Sequence, residues 1–296
     1  MKRAAIFLYG ITCYAVFVCT FLYAVGFIGD FLVPKTLDSA RAAPLGAALA
    51  IDLGLLALFA VQHSVMARPV FKQWWTRIIP GAAERATYVL FSSLALILLF
   101  WLWQPIGGEI WKVTSPTGIR LLYGLYAFGW LLLLYVTFLI NHFDLFGLRQ
   151  VWLYLVRRRY TPVPFRTPWL YRQMRHPLYI GWFTIVWATP TMTVTHLMFA
   201  GMCTLYILFA IPLEEHDLIV AHPEYAEYRR RVPMLIPALR RRGRASFRSD
   251  RSLRGGHRGH EGRHQHRNER TFERRHHISP AGEGVIRRRT GSRGGP

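Results

Sequence analysis

The stretch RHPLYIGWFTIVWATPTMTVTHLMFAGMCTLYILFAIPLEE, residues 175–215, decides the fold of this chain. Its apolar part, residues 178–213, is too long for a single helix across a bilayer, which needs about 20 residues. Pro190 has threonines on both sides and predicts a turn in the middle of this part, because proline interrupts a helix. We therefore expect a helical hairpin whose two charged ends lie at the same membrane surface.

The charged ends of this hairpin carry opposite signs. Pro177 predicts a helix start, because proline suits the first turn and the residue before it avoids helical geometry. The N-terminus of that helix, next to Arg175 and His176, suits an anionic group. Glu214 and Glu215 at the other end suit a cationic group, so the hairpin predicts a site for a small ligand with both charges. The alternative is that these residues only mark the membrane boundary and solvate helix ends.

Four more apolar segments precede the hairpin, and each has about the length of one membrane-spanning helix. They lie at residues 4–29, 45–66, 86–104 and 118–140. Together with the two arms of the hairpin, they predict an all-α fold, a polytopic membrane helix bundle of about six spans.

The loops between these segments alternate in basic charge. The loops at 67–85 and 141–177 are rich in Arg and Lys, whereas those at 30–44 and 105–117 carry few of them. Basic loops stay on the cytoplasmic side of a membrane. We therefore expect both termini and both charged ends of the hairpin to face the cytoplasm.

The chain is 52% hydrophobic and has a formal net charge of +21, and these two properties belong to different parts of it. Residues 1–240 hold most of the apolar side chains and form the predicted membrane domain. Residues 241–296 are rich in Arg, His, Gly and Ser and predict a disordered basic tail, because they bury too little apolar surface to offset their ordering entropy. The tail shows no base-reading module and no Cys for a zinc site, so we expect no specific nucleic-acid partner and no metal.

Two blocks near the C-terminal end of the membrane domain, taken in order, resemble a known membrane superfamily. RHPLYIG, followed by EEHDLIVAHPEYAEYRRRVPMLIP, resembles the isoprenylcysteine carboxyl methyltransferases and phospholipid methyltransferases. The stretches QHSVMARPVFKQWWTRIIPGAAERATYVL (62–90) and NHFDLFGLRQ (141–150) are similar to the NnrU-like branch of that superfamily, which includes bacterial methanethiol S-methyltransferases.

This resemblance implies an integral enzyme of the bacterial cell membrane that uses S-adenosylmethionine to methylate methanethiol to dimethyl sulfide. The implied partners are a small thiol substrate and membrane lipid. Two alternatives stay open: a methyltransferase for a lipid or isoprenylcysteine, and a non-catalytic or haem-binding NnrU-like protein.

On this resemblance, residues at both ends of the hairpin hold S-adenosylmethionine. The assigned cofactor residues are Arg175, His176, Tyr179, Gly181, Glu214, Glu215, Tyr225 and Tyr228. Gly181 has the alternative role of helix packing in a membrane, and Tyr225 and Tyr228 have that of resting on lipid headgroups. We expect Arg229, Arg230 and Arg231 to meet lipid phosphates and not substrate.

Methyl transfer to a thiol requires a thiolate, and a simple thiol is mostly protonated near neutral pH. Either a base accepts this proton, for which His63, His142 and His176 are the candidates, or the cationic sulfonium and nearby positive groups favour the thiolate. We expect His63 and His142 to line a small apolar pocket near the cofactor, because polar groups at membrane depth usually face a cavity or a partner. The alternative is that Gln62, His63 and Asn141 cap helix ends in the headgroup region.

Overall fold

The computed structural model describes residues 1–41 and 43–237, which are mainly helical. The predicted basic tail at 241–296 lies outside the described residues and stays a prediction. The elements, in chain order, are α1 (Lys2–Gly29), α2 (Leu45–Ala67), α3 (Pro69–Trp75), α4 (Glu84–Leu102), β1 (Glu109–Lys112), α5 (Pro116–Ile140), α6 (His142–Leu145), α7 (Leu148–Leu155), α8 (Pro177–Trp187), β2 (Thr191–Thr193), α9 (Val194–Ala221) and α10 (Tyr225–Arg231). Short 3-10 turns lie at Gly81–Ala83 and Trp169–Arg172.

Five of these helices are long and apolar enough to cross a membrane: α1, α2, α4 with the turn before it, α5 and α9. This confirms the predicted all-α membrane bundle. The first four begin and end within two residues of the segments predicted from hydropathy. The agreement is close because uninterrupted apolar runs leave little choice about where such a helix starts and stops.

The C-terminal hairpin has unequal arms. Helix α8 has 11 residues and spans roughly 16 Å, about half of the hydrocarbon thickness, whereas α9 has 28 residues and spans about 42 Å. The sixth crossing therefore stays a prediction. Helix α8 begins at Pro177, as predicted from the residues around it.

The turn of the hairpin forms a small sheet that the sequence did not predict. Strand β2 pairs antiparallel with β1, with Thr191 opposite Lys112 and Met192 opposite Trp111. This pairing holds the loop at 105–117 and the hairpin turn at the same end of the bundle. The loop charges had placed both of them on one side of the membrane.

A second set of contacts fixes the same end of the hairpin. His196 is 1% exposed, and its ring nitrogens lie 3.3 Å from Oδ2 of Asp38 and 3.0 Å from the carbonyl oxygen of Val186. The Thr193 hydroxyl donates to the same aspartate. Asp38 belongs to the segment between α1 and α2, so that segment, β2 and α9 are joined, and the charged end of the hairpin lies at the opposite end of the bundle.

Helices α5 and α8 touch through their backbones at two glycines. A Cβ atom on Gly129 would lie 3.0 Å from the carbonyl oxygen of Gly181, and a Cβ on Gly181 would lie 3.0 Å from that of Gly129. Small residues allow this close approach between helices in a membrane. Gly181 thus takes the packing role, because α5 occupies the space that its missing side chain leaves.

Candidate functional site

The structure brings the two charged ends of the hairpin together. Arg175 and His176 precede α8, and Glu214 and Glu215 lie near the end of α9. These four side chains are joined by consecutive contacts between basic and acidic groups. The backbone N–H groups of Arg175 and His176 donate to the carbonyl oxygens of Pro233 and Met234, at 3.0 and 3.1 Å. The segment after α10 therefore also belongs to this cluster.

Glu215 is the buried centre of this cluster, with 2% of its surface exposed. Its Oε1 lies 2.8 Å from Nη1 of Arg175 and 3.0 Å from Nε2 of His176. Its Oε2 lies 3.0 Å from Nε of Arg229, and the Tyr225 hydroxyl donates to Oε1 at 3.4 Å. Since protein groups already surround both oxygens, Glu215 holds α8, α9 and α10 together and is not free to bind a cationic ligand.

Glu214 has a different environment, although it is the neighbouring residue. Its side chain is 45% exposed, and one oxygen accepts a hydrogen bond of 2.7 Å from the Tyr179 hydroxyl. Nδ1 of His176 is 3.9 Å from that same oxygen. The remaining acceptor capacity of Glu214 is available for a cationic group.

Arg175 carries two buried nitrogens of this cluster, Nε and Nη1, that lack a hydrogen-bond partner among the described residues. Its side chain is 11% exposed, and Nε has no acceptor there. Nη1 is close to Glu215 but outside hydrogen-bond geometry. A buried guanidinium N–H without an acceptor is costly, so this position suits an anionic group.

Tyr225 and Tyr228 lie on one face of α10, as their spacing predicts, with ring centroids 5.3 Å apart. The Tyr228 hydroxyl donates to the carbonyl oxygen of Tyr171 at 2.6 Å, and Phe165 packs on both rings. Burial raises the pKa of both phenols, that of Tyr228 to about 12, so both remain neutral donors near pH 7. Tyr225 is 3% exposed and packs inside the protein.

His63 contacts Tyr88, a residue that sequence reasoning did not select and that connects the end of α2 to this side of the bundle. The Tyr88 hydroxyl is 2.9 Å from Nε2 of His63, and the Ser92 hydroxyl is 3.2 Å from Nδ1. The hydroxyls of Tyr88 and Tyr206 lie within electrostatic range of the Glu214 carboxylate. The last turns of α2 and the first turns of α4 therefore lie beside α9, on the side of Glu214.

His142 lies elsewhere in the structure. Its Nε2 is 2.7 Å from the Tyr14 hydroxyl, its Nδ1 is 2.8 Å from the Thr137 hydroxyl, and its ring stacks on Phe138 at 4.3 Å. Burial lowers the pKa of His142, so the ring is neutral near pH 7. None of these partners belongs to the cluster around Glu215, so the prediction that His63 and His142 share one pocket finds no support in the contacts.

Arg229 makes a contact that sequence reasoning missed. Its Nε pairs with Glu215 while half of the side chain stays exposed, whereas Arg230 and Arg231 pair with Glu227 on the surface of α10. The spacing contained a signal: Arg229 lies four residues after Tyr225 and therefore on the same helix face. The contact of these arginines with lipid phosphates stays a prediction.

Within residues 1–41 and 43–237, no group of three or more His, Cys, Asp or Glu side chains could hold a metal ion.

Comparison with known proteins finds close relatives. The chain is 58% identical over 240 residues to methanethiol S-methyltransferase from Crocosphaera subtropica, covering 81% of this chain and 94% of the relative. It is 50% identical over 238 residues to methanethiol S-methyltransferase from Mycobacterium tuberculosis, covering 80% of this chain and 98% of the relative. It is also 36% identical over 176 residues to Nurim from Bos taurus, covering 56% of this chain and 66% of that protein. No family model and no solved structure matches the chain.

The buried position of Glu215 predicts a large loss of stability in Glu215→Gln, because the substitution leaves Arg175 and Arg229 without their carboxylate. Removing one partner of a buried ion pair costs about 3–5 kcal/mol. Thermal unfolding in detergent, followed by tryptophan fluorescence, measures the loss. Glu227→Gln is the matched control, since Glu227 makes only exposed ion pairs on α10 and should cost under about 1 kcal/mol. Equal unfolding temperatures in the two variants would contradict the role of Glu215.

Proposed function

Since the chain belongs to the methanethiol S-methyltransferase family, we propose that it is an integral membrane enzyme that methylates methanethiol. The methyl donor is S-adenosylmethionine. A bond forms between the methanethiol sulfur and the transferred methyl carbon while the bond from that carbon to the donor sulfur breaks. The products are dimethyl sulfide, S-adenosylhomocysteine and one proton.

One observation carries the assignment of the cofactor site: buried donors that lack a hydrogen-bond partner in the described part of the chain belong to the same cluster of contacts as an open carboxylate. Nε of Arg175 has no acceptor among the described residues, and Glu214 is 45% exposed with acceptor capacity left. The methionine part of S-adenosylmethionine carries a carboxylate and an ammonium group, and its sulfur is cationic. Arg175 would hold the carboxylate, and Glu214 would hold a cationic group.

The remaining predicted cofactor residues support this pair. Tyr179 fixes the Glu214 carboxylate with its 2.7 Å hydrogen bond. Glu215 and His176 position Arg175 and α10, and Tyr225 and Tyr228 line the face of α10 that packs on the cluster. Gly181 is left out of the proposed site, because α5 fills the space beside it.

S-adenosylmethionine, when bound, would supply a methyl group attached to a positively charged sulfur. A thiolate would attack that methyl carbon directly and displace the sulfur. The thiol must therefore lose its proton, and a neutral histidine beside the site is a suitable acceptor. We propose that His63 accepts this proton. The Tyr88 hydroxyl lies between the His63 ring and the side of the site that holds Glu214. His176 is less suited to this role, because its ring lies between two glutamates, and both ring nitrogens of His142 face hydroxyls of α1 and α5.

The orientation proposed for this enzyme places the site on the cytoplasmic side of the cell membrane, where S-adenosylmethionine is made. The alternation of basic loops supports it, and so does the pairing of β1 with β2 at the opposite end. A topology reporter inserted after Lys112 should report the outer side, and one inserted after Arg158 the cytoplasm. The reverse result would overturn the proposed location of the site.

The substrate is tested with the purified full-length protein, S-adenosylmethionine and one acceptor at a time. Methanethiol should yield dimethyl sulfide, detected in the headspace, far faster than a prenylcysteine or a phospholipid amine is methylated. Preferred methylation of a prenylcysteine carboxylate or a phospholipid amine would refute the thiol assignment and leave the methyl-donor site standing. A Soret band in the purified protein, with no methylation of any acceptor, would favour a haem-binding protein instead.

The proposed roles predict different kinetic effects. Glu214→Gln and Arg175→Lys should each weaken S-adenosylmethionine binding by about tenfold or more, because each removes a charge-assisted hydrogen bond. Arg175→Lys keeps a positive charge beside Glu215, so the protein should stay folded. His63→Gln should instead lower turnover and leave cofactor affinity nearly unchanged.

Calorimetric binding of S-adenosylmethionine and dimethyl sulfide production measure these two effects separately. Glu224→Gln is the control for loss of a carboxylate, since Glu224 is 58% exposed and pairs only with His222 among the described residues. Near-native cofactor binding in both Glu214→Gln and Arg175→Lys would place the cofactor elsewhere.

A further inference from the structure

A cavity of about 500 Å³ lies between the segment of α3 and α4 on one side and that of α6 and α7 on the other. The mechanism above does not use its lining residues. Lys72, on its wall, lies within electrostatic range of Arg68 and Asp217, which form an ion pair of 2.9 Å between the end of α2 and α9. The cavity therefore opens on the same side of the bundle as Glu214.

The charge of this cavity is unbalanced. Its lining includes four cationic side chains and two carboxylates: Lys72, Arg85, Arg158 and Arg159, with Glu84 and Asp144. None of the four cations forms an ion pair within the described part of the chain, whereas Asp144 is already held by Arg149 at 2.7 Å. Cations that face one cavity without bound carboxylates repel each other, and an anion between them would remove this repulsion.

Lys72 shows this repulsion most clearly. Burial lowers the pKa of Lys72, and the neighbouring Arg85 and Arg68 lower it further, whereas Glu84 and Asp217 raise it and offset only part of this effect. No carboxylate of the described residues forms an ion pair with the charged form of this lysine, although Glu84 and Asp217 lie within electrostatic range. An anion in the cavity would supply such a partner.

The position of the cavity is that of a membrane surface. It lies where α2 ends, α4 begins and α5 ends. Helix α3, which forms part of the wall, exposes two large apolar side chains: Val70 is 77% exposed and Trp74 is 51% exposed. Exposed apolar residues next to a basic cavity suit the boundary between headgroups and acyl chains.

The cavity also offers an unused hydrogen-bond acceptor. Nε2 of Gln150 donates to the carbonyl oxygen of Asp144 at 3.1 Å, whereas its buried Oε1 has no partner among residues 1–41 and 43–237. A hydroxyl group on the ligand would satisfy this oxygen. The cationic side chains suit an anionic group, and the free acceptor suits a hydroxyl group. A phosphate ester of a polyol carries both.

We propose that this cavity binds a phosphate-bearing anion, separate from the methyl donor and acceptor. Two sources share this chemistry: the headgroup of an anionic phospholipid such as phosphatidylglycerol, and a soluble phosphate ester. Basic pockets at the cytoplasmic ends of membrane helices commonly hold anionic headgroups.

The test uses the purified full-length protein in a neutral detergent, without S-adenosylmethionine, and measures binding by native mass spectrometry. The probes are phosphatidylglycerol, phosphatidylcholine of the same chain length, and glycerol phosphate. Phosphatidylglycerol should bind more tightly than phosphatidylcholine. Lys72→Gln should weaken that binding roughly fivefold, as expected for one basic group near a headgroup.

Arg77→Gln is the matched control, because Arg77 is exposed, follows α3 and does not line the cavity. Arg158 also lines the cavity and is exposed, so Arg158→Gln should fold and keeps the test valid if Lys72→Gln does not. Binding of glycerol phosphate alone, weakened by the lining variants, would support the site and assign a soluble ligand. Equal binding of the two lipids, an equal effect of Arg77→Gln, or no binding of any probe would overturn the proposal.

Discussion

The buried carboxylate of Glu215 is the interaction on which the arrangement of the charged end of the bundle depends. A carboxylate with 2% exposure cannot stay ionised without partners, and this one is surrounded by Arg175, His176 and Arg229. These three partners come from the start of α8 and from α10. A single residue of α9 therefore determines where two other elements lie.

This arrangement gives adjacent glutamates different roles. Successive residues of a helix point about 100° apart, so burying Glu215 turns Glu214 towards the open side, where Tyr179 orients it. The two residues looked equivalent in the sequence and were both assigned to the cofactor. Only Glu214 keeps capacity for a ligand, whereas Glu215 maintains the shape of the place where the ligand would lie. Arg175 and Arg229 also differ: Arg175 has buried donors without a hydrogen-bond partner among the described residues, whereas Arg229 pairs with Glu215 through Nε and stays half exposed.

Hydropathy and local rules were sufficient for the helices but not for their contacts. The starts of α2 and α8 followed from apolar length and from Pro177, because each depends on residues next to it in the chain. The pairing of β1 with β2 depends on backbone groups about eighty residues apart, so no pattern of neighbouring residues predicts it. The short α8 was also not predicted, since the apolar composition of the hairpin did not reveal how unequally its two arms are divided.

The candidate site shows the same limit at the level of single side chains. His63 and His142 looked alike, each a histidine near the end of an apolar span. They differ because α2 ends beside α4 and α9, where Tyr88 lies near Glu214, whereas α5 ends beside α1, where Tyr14 and Thr137 occupy both nitrogens of His142. Helix periodicity indicates which face of a helix is polar but not which helix lies opposite. The contact between α5 and α8 at Gly129 and Gly181 has this same character, because glycine permits a close approach equally to a neighbouring backbone or to a ligand.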